Sequence, residues 1–244
     1  MPRLELAEWA ERYGVVAGIT TRGGTPGGFS LGLWSGENVG QVMTRWRAFR
    51  AALHPRFPGT ILSHQIHGTS VTWHPRGCEG WLILDGVDGH ATAEQGLLLT
   101  VTVADCIPVY LAVPQKRAVA LLHAGWRGIA GGVLERGVVL LKQRAFSKAS
   151  EIVMHCGVGI CGSCYEVGSE VAEALTGHPT AAGGSAWLDL RELLSRQAAD
   201  LGVTEISRSP WCTAHDRERF FSHRASGGRD GRMVAYLGLP KLAA

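Results

Sequence analysis

The stretch from Thr100 to Gly128, TVTVADCIPVYLAVPQKRAVALLHAGWRG, decides how the rest of the chain is interpreted. It contains two apolar runs of strand length. The first ends at Asp105-Cys106, and the second ends at His123, just before the small and polar residues 124–128. Apolar runs bounded by turn residues are typical of buried strands. Each strand therefore brings a reactive side chain to its end, where sites are often built in proteins that combine strands and helices.

The composition is that of a globular protein with a substantial core. The chain has 244 residues, of which 45% are hydrophobic and 18% are charged, and its net charge is +3. These values exclude a disordered chain. No block of Lys and Arg stands out, so no nucleic-acid partner and no membrane partner is predicted. Because no long linker or internal repeat interrupts the chain, we expect a single domain over residues 1–244, and a monomer is favoured.

The N-terminal sequence MPRLELAEWAERYG has acidic residues and no apolar centre, which is unlike a secretory signal. No apolar run approaches the roughly 20 residues needed to span a bilayer. These features predict a cytoplasmic protein. In that compartment the six cysteines are expected to be reduced and to serve packing, metal binding or catalysis rather than disulfides.

Strand-like and helix-like segments follow one another in irregular order, which predicts a mixed α/β or α+β fold rather than a strict βαβ repeat. Residues 22–28, RGGTPGG, are expected to form a loop. Residues 81–92 are interpreted as a strand followed by a turn-rich loop. Strands are further predicted at 14–21, 60–74 (with a break at His67-Gly68), 151–160, 203–210 and 232–239, and helices at 44–53, 129–146, 169–177 (with a Ser cap) and 188–202.

His67, Cys106 and His123 each lie at or near the end of an apolar run. Two imidazoles and one thiolate form a donor set that suits Zn²⁺, and three protein ligands leave a fourth tetrahedral position open. The same residues also suit a Cys-His dyad, in which Cys106 is the nucleophile, His123 the base, and Asp105 or His67 the group that orients the base. Both interpretations require the thiolate, so the spacing alone does not separate them.

Other candidate residues favour ordinary structural roles. The segment HCGVGICGSCYE contains Cys161-x-x-Cys164 together with His155 and Cys156. Packing is favoured over metal binding here, because neighbouring His155 and Cys156 would point to opposite faces of a strand. Asp85, Asp88 and His90 are interpreted as turn residues. A small anion and a stacked base are the ligands considered for four further residues, Arg22, Trp126, Arg127 and Arg224.

Five motifs resemble, in the same order, those of the YfiH-type proteins: SHQIHG, TVADCIPV, HAGWRG, ICGSCYEVG and FFSHR…GRM. Members of this family were long described as laccase-like multicopper polyphenol oxidases and are now interpreted as purine nucleoside phosphorylases. The resemblance extends from about residue 14 to residue 236. It implies a single-domain α/β sandwich with flanking helices, of a type also likened to cysteine hydrolases.

The resemblance further implies a zinc site with His67, Cys106 and His123 as ligands, which are then also the catalytic residues. The implied reactions are phosphorolysis of adenosine, inosine, guanosine and methylthioadenosine, and hydrolytic deamination of adenosine. Purine nucleosides and phosphate would thus be the partners of the site. Arg22, Trp126, Arg127 and Arg224 are the candidates for binding them.

The sequence departs from the family pattern at several positions. Gly32 stands where an Asn is usual, Arg45-Trp46 stands at a usual Asn-Arg pair, and His223 replaces a usual Tyr. The segment GVG replaces a usual Gly-Pro start before ICGSCYEVG. The zinc ligands are unchanged, so these differences bear on substrate preference.

Three alternative functions remain. The first is a metal-free cysteine hydrolase or amidase that edits peptidoglycan precursors, an activity to which family members have been linked. The second is a copper oxidase, which is less favoured because the ten histidines contain no His-x-His pair. The third is a non-enzymatic partner of a cell-wall or division complex.

Overall fold

The computed structural model describes residues 1–24, 27–181 and 184–241. Within these ranges the strands are β1 (Arg3–Glu5), β2 (Val16–Thr20), β3 (Gly59–His64), β4 (Val71–His74), β5 (Gly80–Asp85), β6 (Gly89–Thr92), β7 (Leu97–Val103), β8 (Ile107–Val113), β9 (Ala118–Ala124), β10 (Val153–Cys156), β11 (Glu166–Gly168), β12 (Ser185–Trp187), β13 (Glu205–Arg208) and β14 (Met233–Gly238). The α-helices are α1 (Ala7–Tyr13), α2 (Val39–Leu53), α3 (Trp126–Ala130), α4 (Val133–Arg144), α5 (Ser169–Thr176), α6 (Leu190–Asp200) and α7 (His223–Ser226).

Two mixed six-stranded sheets form the centre of the fold. The strand order is β1-β2-β14-β7-β3-β5 in the first sheet and β13-β10-β8-β9-β6-β4 in the second. In the first sheet β3 runs parallel to both β5 and β7, whereas β14 is antiparallel to β2 and β7. In the second sheet β8 and β9 form an antiparallel pair. The predicted mixed α/β sandwich is confirmed.

The sheets share one apolar core and are covered by helices on their outer faces. Val101 of the first sheet and Leu121 of the second belong to the same buried cluster. The next residue along β9, Leu122, belongs instead to a second cluster that includes residues of α4 and α6, because successive side chains of a strand point to opposite faces. On the outer face of the first sheet, Trp46 and Phe49 of α2 are fully buried. Burial of such large side chains contributes about 1.5–3 kcal/mol each.

Most predicted elements are present, but three predictions are wrong in detail. Residues 89–92, interpreted as a loop, form strand β6, which pairs with β4 and β9. The predicted helix 129–146 is two helices, α3 and α4, separated at Gly131-Gly132, where Gly132 adopts a φ of 89°. Ser169 is not the cap of α5, because Gly168 occupies that position and no side chain caps it.

The predicted loop 22–28 includes Thr25 and Pro26, which lie outside the described residues. Within the described ranges, none of the helices combines the length and the apolar character that a bilayer-spanning helix requires.

Candidate metal centre and active-site cavity

The topology of the two sheets brings three candidate ligands together that are distant in sequence. His67 follows β3 in the first sheet, and His123 lies on β9 in the second. Cys106 lies in the short connection that leads from β7 in the first sheet to β8 in the second. One ligand atom from each of the three residues lies within 4.8 Å of the other two. We call His67, Cys106 and His123 the active-site cluster, because their role in the reaction is proposed below.

Two of the turns that present the cluster have left-handed backbone conformations. The φ angle is 59° at His67 and 84° at Asp105, the residue before Cys106. Such conformations cost a non-glycine residue on the order of 1 kcal/mol and persist only where the surroundings hold them. At Asp105 the carboxylate accepts hydrogen bonds from Thr213 Oγ1 and from the backbone N–H of Arg224, both at 2.6 Å. These bonds hold the turn that positions Cys106.

Asp88 is a buried carboxylate that forms hydrogen bonds to two residues of the active-site cluster. Its Oδ1 atom lies 2.8 Å from Nδ1 of His123 and 3.0 Å from the backbone nitrogen of His67. Its Oδ2 atom accepts the N–H groups of Ile66 and Gly68. Burial alone would raise the pKa of Asp88, but the bond from His123 and the backbone bonds lower it overall. With Nδ1–H donated to Asp88, the Nε2 atom of His123 is free to bind a metal.

Cys106 and His123 are electrostatically coupled. Burial would raise the pKa of the Cys106 thiol, but interactions with His123 and His67 lower it to about 6. Burial would likewise lower the pKa of His123, but Cys106 and Asp88 raise it to about 9. Each group of this pair therefore favours the charged form of the other. A thiolate in this position can serve either as a metal ligand or as a nucleophile.

Gly125 leaves the space that the cluster needs. A Cβ atom on this residue would lie 2.9 Å from Cδ2 of His67 and 3.1 Å from Sγ of Cys106. Both distances are shorter than ordinary van der Waals contact. The glycine in the HAGWRG motif thus permits the close approach of the two ligands.

A cavity of about 470 Å³ opens onto the active-site cluster. This volume lies within the usual range of small-molecule sites. Its walls carry arginines and aromatic side chains. The Arg127 guanidinium carbon lies 4.2 Å from the centre of the Trp126 ring. That of Arg224 lies 5.2 Å from the centre of the Tyr165 ring, and Arg232 adds a third guanidinium. The cavity therefore offers cationic groups for an anion and flat apolar surfaces for a ring.

Of the four candidate binding residues that the sequence indicated, three line this cavity and Arg22 lies elsewhere. Trp126, Arg127 and Arg224 line the cavity together with the cluster. Arg22 is absent from the described lining residues; its guanidinium pairs with Asp230 at 2.5 Å and lies 4.3 Å from the centre of the Phe221 ring. Gly32, Trp34 and Ser35 form part of the cavity wall.

Sequence reasoning missed the role of Asp88. Its interpretation as a turn residue is wrong, because the side chain is fully buried and contacts the cluster. The alternative role of Asp105 as the group that orients His123 is also wrong, since its carboxylate faces Thr213 and Arg224. The only local signal for Asp88 was its place before Gly89-His90-Ala91-Thr92, which can be interpreted as a short strand.

Together these features define a mixed two-sheet α/β protein with a three-ligand candidate metal centre in an arginine-lined cavity. The family model described as multi-copper polyphenol oxidoreductase laccase matches residues 16–240. The chain belongs to this laccase-like family, of which the YfiH-type proteins are members.

Relatives of known name match along almost the whole chain. Purine nucleoside phosphorylase YlmD of Geobacillus stearothermophilus is 33% identical over 92% of this chain and 90% of its own length. Purine nucleoside phosphorylase YfiH of Shigella flexneri is 31% identical over 98% and 100% of the two chains.

Solved structures share the architecture. The crystal structure of the YfiH protein of Bacillus licheniformis has a TM-score of 0.89 and 27% identity, and covers 98% of this chain and 96% of its own. That of YlmD from Geobacillus stearothermophilus has a TM-score of 0.85 and 32% identity, and covers 92% of each chain.

Proposed function

We propose that the protein is a zinc-dependent purine nucleoside phosphorylase that also deaminates adenosine. The observation that carries this proposal is that one cavity combines the active-site cluster with three arginines, Arg127, Arg224 and Arg232. Phosphorolysis needs cationic groups such as these arginines, because a phosphate anion must be held next to the bond that breaks. The names of the relatives from Geobacillus and Shigella support the phosphorylase activity.

The donor set of the cluster fits zinc. Two imidazole nitrogens and one thiolate within 4.8 Å of one another are ligands that Zn²⁺ binds, with a fourth position left for substrate or water. The hydrogen bond from His123 to Asp88 is the kind of outer contact that fixes a ligating imidazole. When bound, Zn²⁺ acts as a Lewis acid that polarises a substrate atom and lowers the pKa of water.

The walls of the cavity can hold the two substrates of phosphorolysis. The guanidinium groups of Arg127, Arg224 and Arg232 would bind phosphate through charge-assisted hydrogen bonds, and the rings of Trp126 and Tyr165 would contact the purine. A phosphate oxygen then forms a bond to the sugar C1′ atom as the bond from C1′ to the purine nitrogen breaks. The purine leaves with that electron pair and takes up a proton. The protein contributes by positioning both reactants and by stabilising the charge that develops.

Two of the residues that depart from the family pattern lie at the same cavity. Gly32 and His223, which stand where Asn and Tyr are usual, are both lining residues. A Cβ atom on Gly32 would lie 2.6 Å from Ser35 Oγ and 2.8 Å from Arg232 Cγ. Because Ser35 and Arg232 fill this space, a larger residue at position 32 would require both side chains to move. We therefore propose that these positions set the preference among adenosine, inosine, guanosine and methylthioadenosine.

The test is product analysis by chromatography. Purified protein is incubated with adenosine or inosine, with and without phosphate. Free purine base and ribose 1-phosphate should form only with phosphate, and inosine should form from adenosine in either buffer. If no free base appears in phosphate buffer, phosphorolysis is wrong; if adenosine yields only adenine, deamination is wrong. Metal analysis of the same sample distinguishes zinc from copper.

A second candidate is a cysteine hydrolase or amidase acting on a peptidoglycan precursor. The observation that favours it is the chain of contacts from Cys106 to His123 to Asp88, which resembles the nucleophile, base and orienting group of a catalytic triad. This function predicts metal-free active protein that iodoacetamide labels stoichiometrically at Cys106. Zinc bound at this residue would instead protect it from labelling.

A copper polyphenol oxidase is the least supported candidate. Such an enzyme needs several copper ions, and therefore many histidine ligands. In the part of the chain that the structure describes, only two clusters of potential metal ligands occur. Together they contain three histidines: His67, His123 and His215.

A further inference from the structure

A second group of metal-ligating side chains lies outside the active-site cluster. The loop after β10 carries Cys161 and Cys164, and the loop after β13 carries Cys212 and His215. One ligand atom from each of the four residues lies within 4.8 Å of the other three. We call these residues the distal cluster. Each loop contributes two ligands separated by two residues, C-x-x-C in one and C-x-x-H in the other. The spacing allows each pair to meet one ion.

The ligand atoms of the distal cluster are close enough together for one ion to bridge them. Cys164 Sγ lies 3.1 Å from Nε2 of His215, and Cys161 Sγ lies 3.7 Å from Nδ1 of the same ring. One ion binds only one of these two nitrogens. Around zinc, with bonds of about 2.3 Å to sulfur and 2.0–2.1 Å to nitrogen, ligand atoms are about 3.5–3.8 Å apart, so the 3.1 Å contact would lengthen slightly when the ion binds. The backbone N–H of Cys161 also donates to Cys212 Sγ at 3.3 Å. Hydrogen bonds of this kind stabilise a ligating thiolate.

We propose that the distal cluster is a structural zinc site. Three thiolates and one imidazole form a complete tetrahedral set, which leaves no open position for a substrate. On binding, the three thiols release their protons to solvent and no group is oxidised or reduced. The site is therefore different in kind from the active-site cluster, which has three ligands.

Packing or a disulfide explains the distal cluster less well. Cysteines that only fill space are usually fully buried, whereas Cys161 and Cys164 are partly exposed and His215 is exposed. A disulfide would use two of the three sulfur atoms and leave the third beside an unexplained imidazole. A single ion accounts for all four side chains.

A metal at this position would link the loop after β10 to the loop after β13, and both loops lie next to the active-site cavity. Tyr165, directly after Cys164, lines the cavity. Thr213, directly after Cys212, donates to the Asp105 carboxylate at 2.6 Å and to the carbonyl oxygen of Gly159 through its backbone N–H. The ion would thus stabilise the wall of the cavity and the turn that positions the active-site thiolate.

The first test is metal content of the full chain, purified under reducing conditions and measured by mass spectrometry. The wild type should hold two equivalents of zinc per chain. His215→Ala and Cys161→Ser should each hold one, and so should Cys106→Ala, which affects only the active-site cluster. The double variant Cys106→Ala/His215→Ala should hold none. Matched controls are Cys78→Ser and His178→Ala, which lie outside both clusters and should keep both ions.

The second test is the absorption spectrum of the cobalt-substituted protein. In Cys106→Ala the remaining ion would be bound by three thiolates, so its sulfur-to-cobalt charge-transfer band should be stronger than in His215→Ala, where the remaining ion has one thiolate. This comparison does not depend on the Cys161 variant folding. Two zinc equivalents in His215→Ala, or no metal in Cys106→Ala, would overturn the proposal. So would a count of only four free thiols in denatured, unreduced protein, which indicates a disulfide. None of these measurements uses turnover, so they stand apart from the proposed activity.

Discussion

The carboxylate of Asp88 and the imidazole of His123 are joined by a buried hydrogen bond of 2.8 Å. Asp88 has no exposed surface and His123 is 3% exposed. The same Oδ1 atom accepts the backbone N–H of His67. One carboxylate therefore aligns two of the three residues of the active-site cluster, one through its ring and the other through its main chain.

Replacing Asp88 by Asn should weaken metal binding at the active-site cluster. The amide cannot match the charged acceptor, and loss of such an outer contact typically lowers metal affinity by about 10–100-fold. We expect zinc affinity, measured by competition with a chromophoric chelator, to fall in this range. Asp85→Asn is the matched control, because the Asp85 side chain is largely exposed. Equal affinities in both variants would contradict the assigned role.

Replacing Gly125 by Ala should disturb the cluster without unfolding the chain. The added methyl group would lie 2.9 Å from the His67 ring and 3.1 Å from the Cys106 sulfur. Gly168 is a close control, since both glycines precede a helix with extended backbone angles and a Cβ on Gly168 meets nothing within 4 Å. Gly125→Ala should lose zinc affinity and turnover at nearly unchanged melting temperature, whereas Gly168→Ala should keep all three. Unchanged turnover in Gly125→Ala would show that the ligands have room to move.

Replacing Cys106 by Ala should abolish most turnover. The loss should exceed the roughly 10–100-fold typical of an outer contact, because a direct ligand or nucleophile is removed. The fold should survive, since the strands on either side remain apolar and buried. Circular dichroism and steady-state kinetics measure the two properties, with Cys78→Ala as the control. Full zinc content and full turnover in Cys106→Ala would refute the site.

The stability of the fold should fall in mild acid because of His155. Burial, followed by the nearby charge of Arg191, lowers the pKa of His155 from 6.5 to about 4. The unfolded chain therefore takes up this proton first as the pH falls. Above pH 6.5 the neutral imidazole contributes about 3 kcal/mol to the free energy of unfolding. This contribution is lost as the pH falls from 6.5 to about 4. Urea unfolding should show a smaller change over this interval in His155→Gln than in the wild type or in His178→Gln, whose side chain is exposed. If the free energy of unfolding depends on pH in the same way in all three proteins, His155 is not the group responsible.

Replacing Arg127 by Met should impair the use of phosphate more than the use of nucleoside. Loss of one charge-assisted hydrogen bond corresponds to roughly a tenfold change in affinity or more. We expect KM for phosphate to rise accordingly, with a smaller change in KM for inosine. Arg144→Met, at the exposed end of α4, should leave both unchanged. A larger rise in KM for the nucleoside would place Arg127 at the purine instead.

The sequence predicted the parts of the fold that depend on local pattern. The apolar runs at 100–103 and 107–113 are buried strands, because a continuous apolar segment bounded by turn residues has few other stable arrangements. The division of the helix at Gly131-Gly132 was not predicted, since the apolar periodicity continues across it. The single domain, the monomeric state and the cytoplasmic location stay predictions.

The three residues of the active-site cluster could be identified from the sequence, whereas the carboxylate of Asp88 that supports them could not. His67, Cys106 and His123 follow apolar runs and are chemically distinctive. Asp88 looks like any turn residue until β6 is known to pair with β9, which places it beside His123. The distal cluster was missed for the same reason, because Cys212 and His215 lie some 50 residues from Cys161 in sequence. The position of Asp88 and the distal cluster both depend on contacts between residues that are distant in sequence, and local sequence patterns do not reveal such contacts.

The connection from β7 to β8 crosses from one sheet to the other, and Cys106 lies on it. The separation between the Cys106 sulfur and His123 therefore depends on how closely the two sheets pack through their shared core. The affinity of the active-site cluster for a metal ion should therefore depend on how tightly the core between the two sheets is packed. Substitutions such as Val101→Ala, in the shared core and not among the cavity-lining residues, would alter the site by changing this spacing. We expect heating to release a bound ion from such a variant before its two sheets separate.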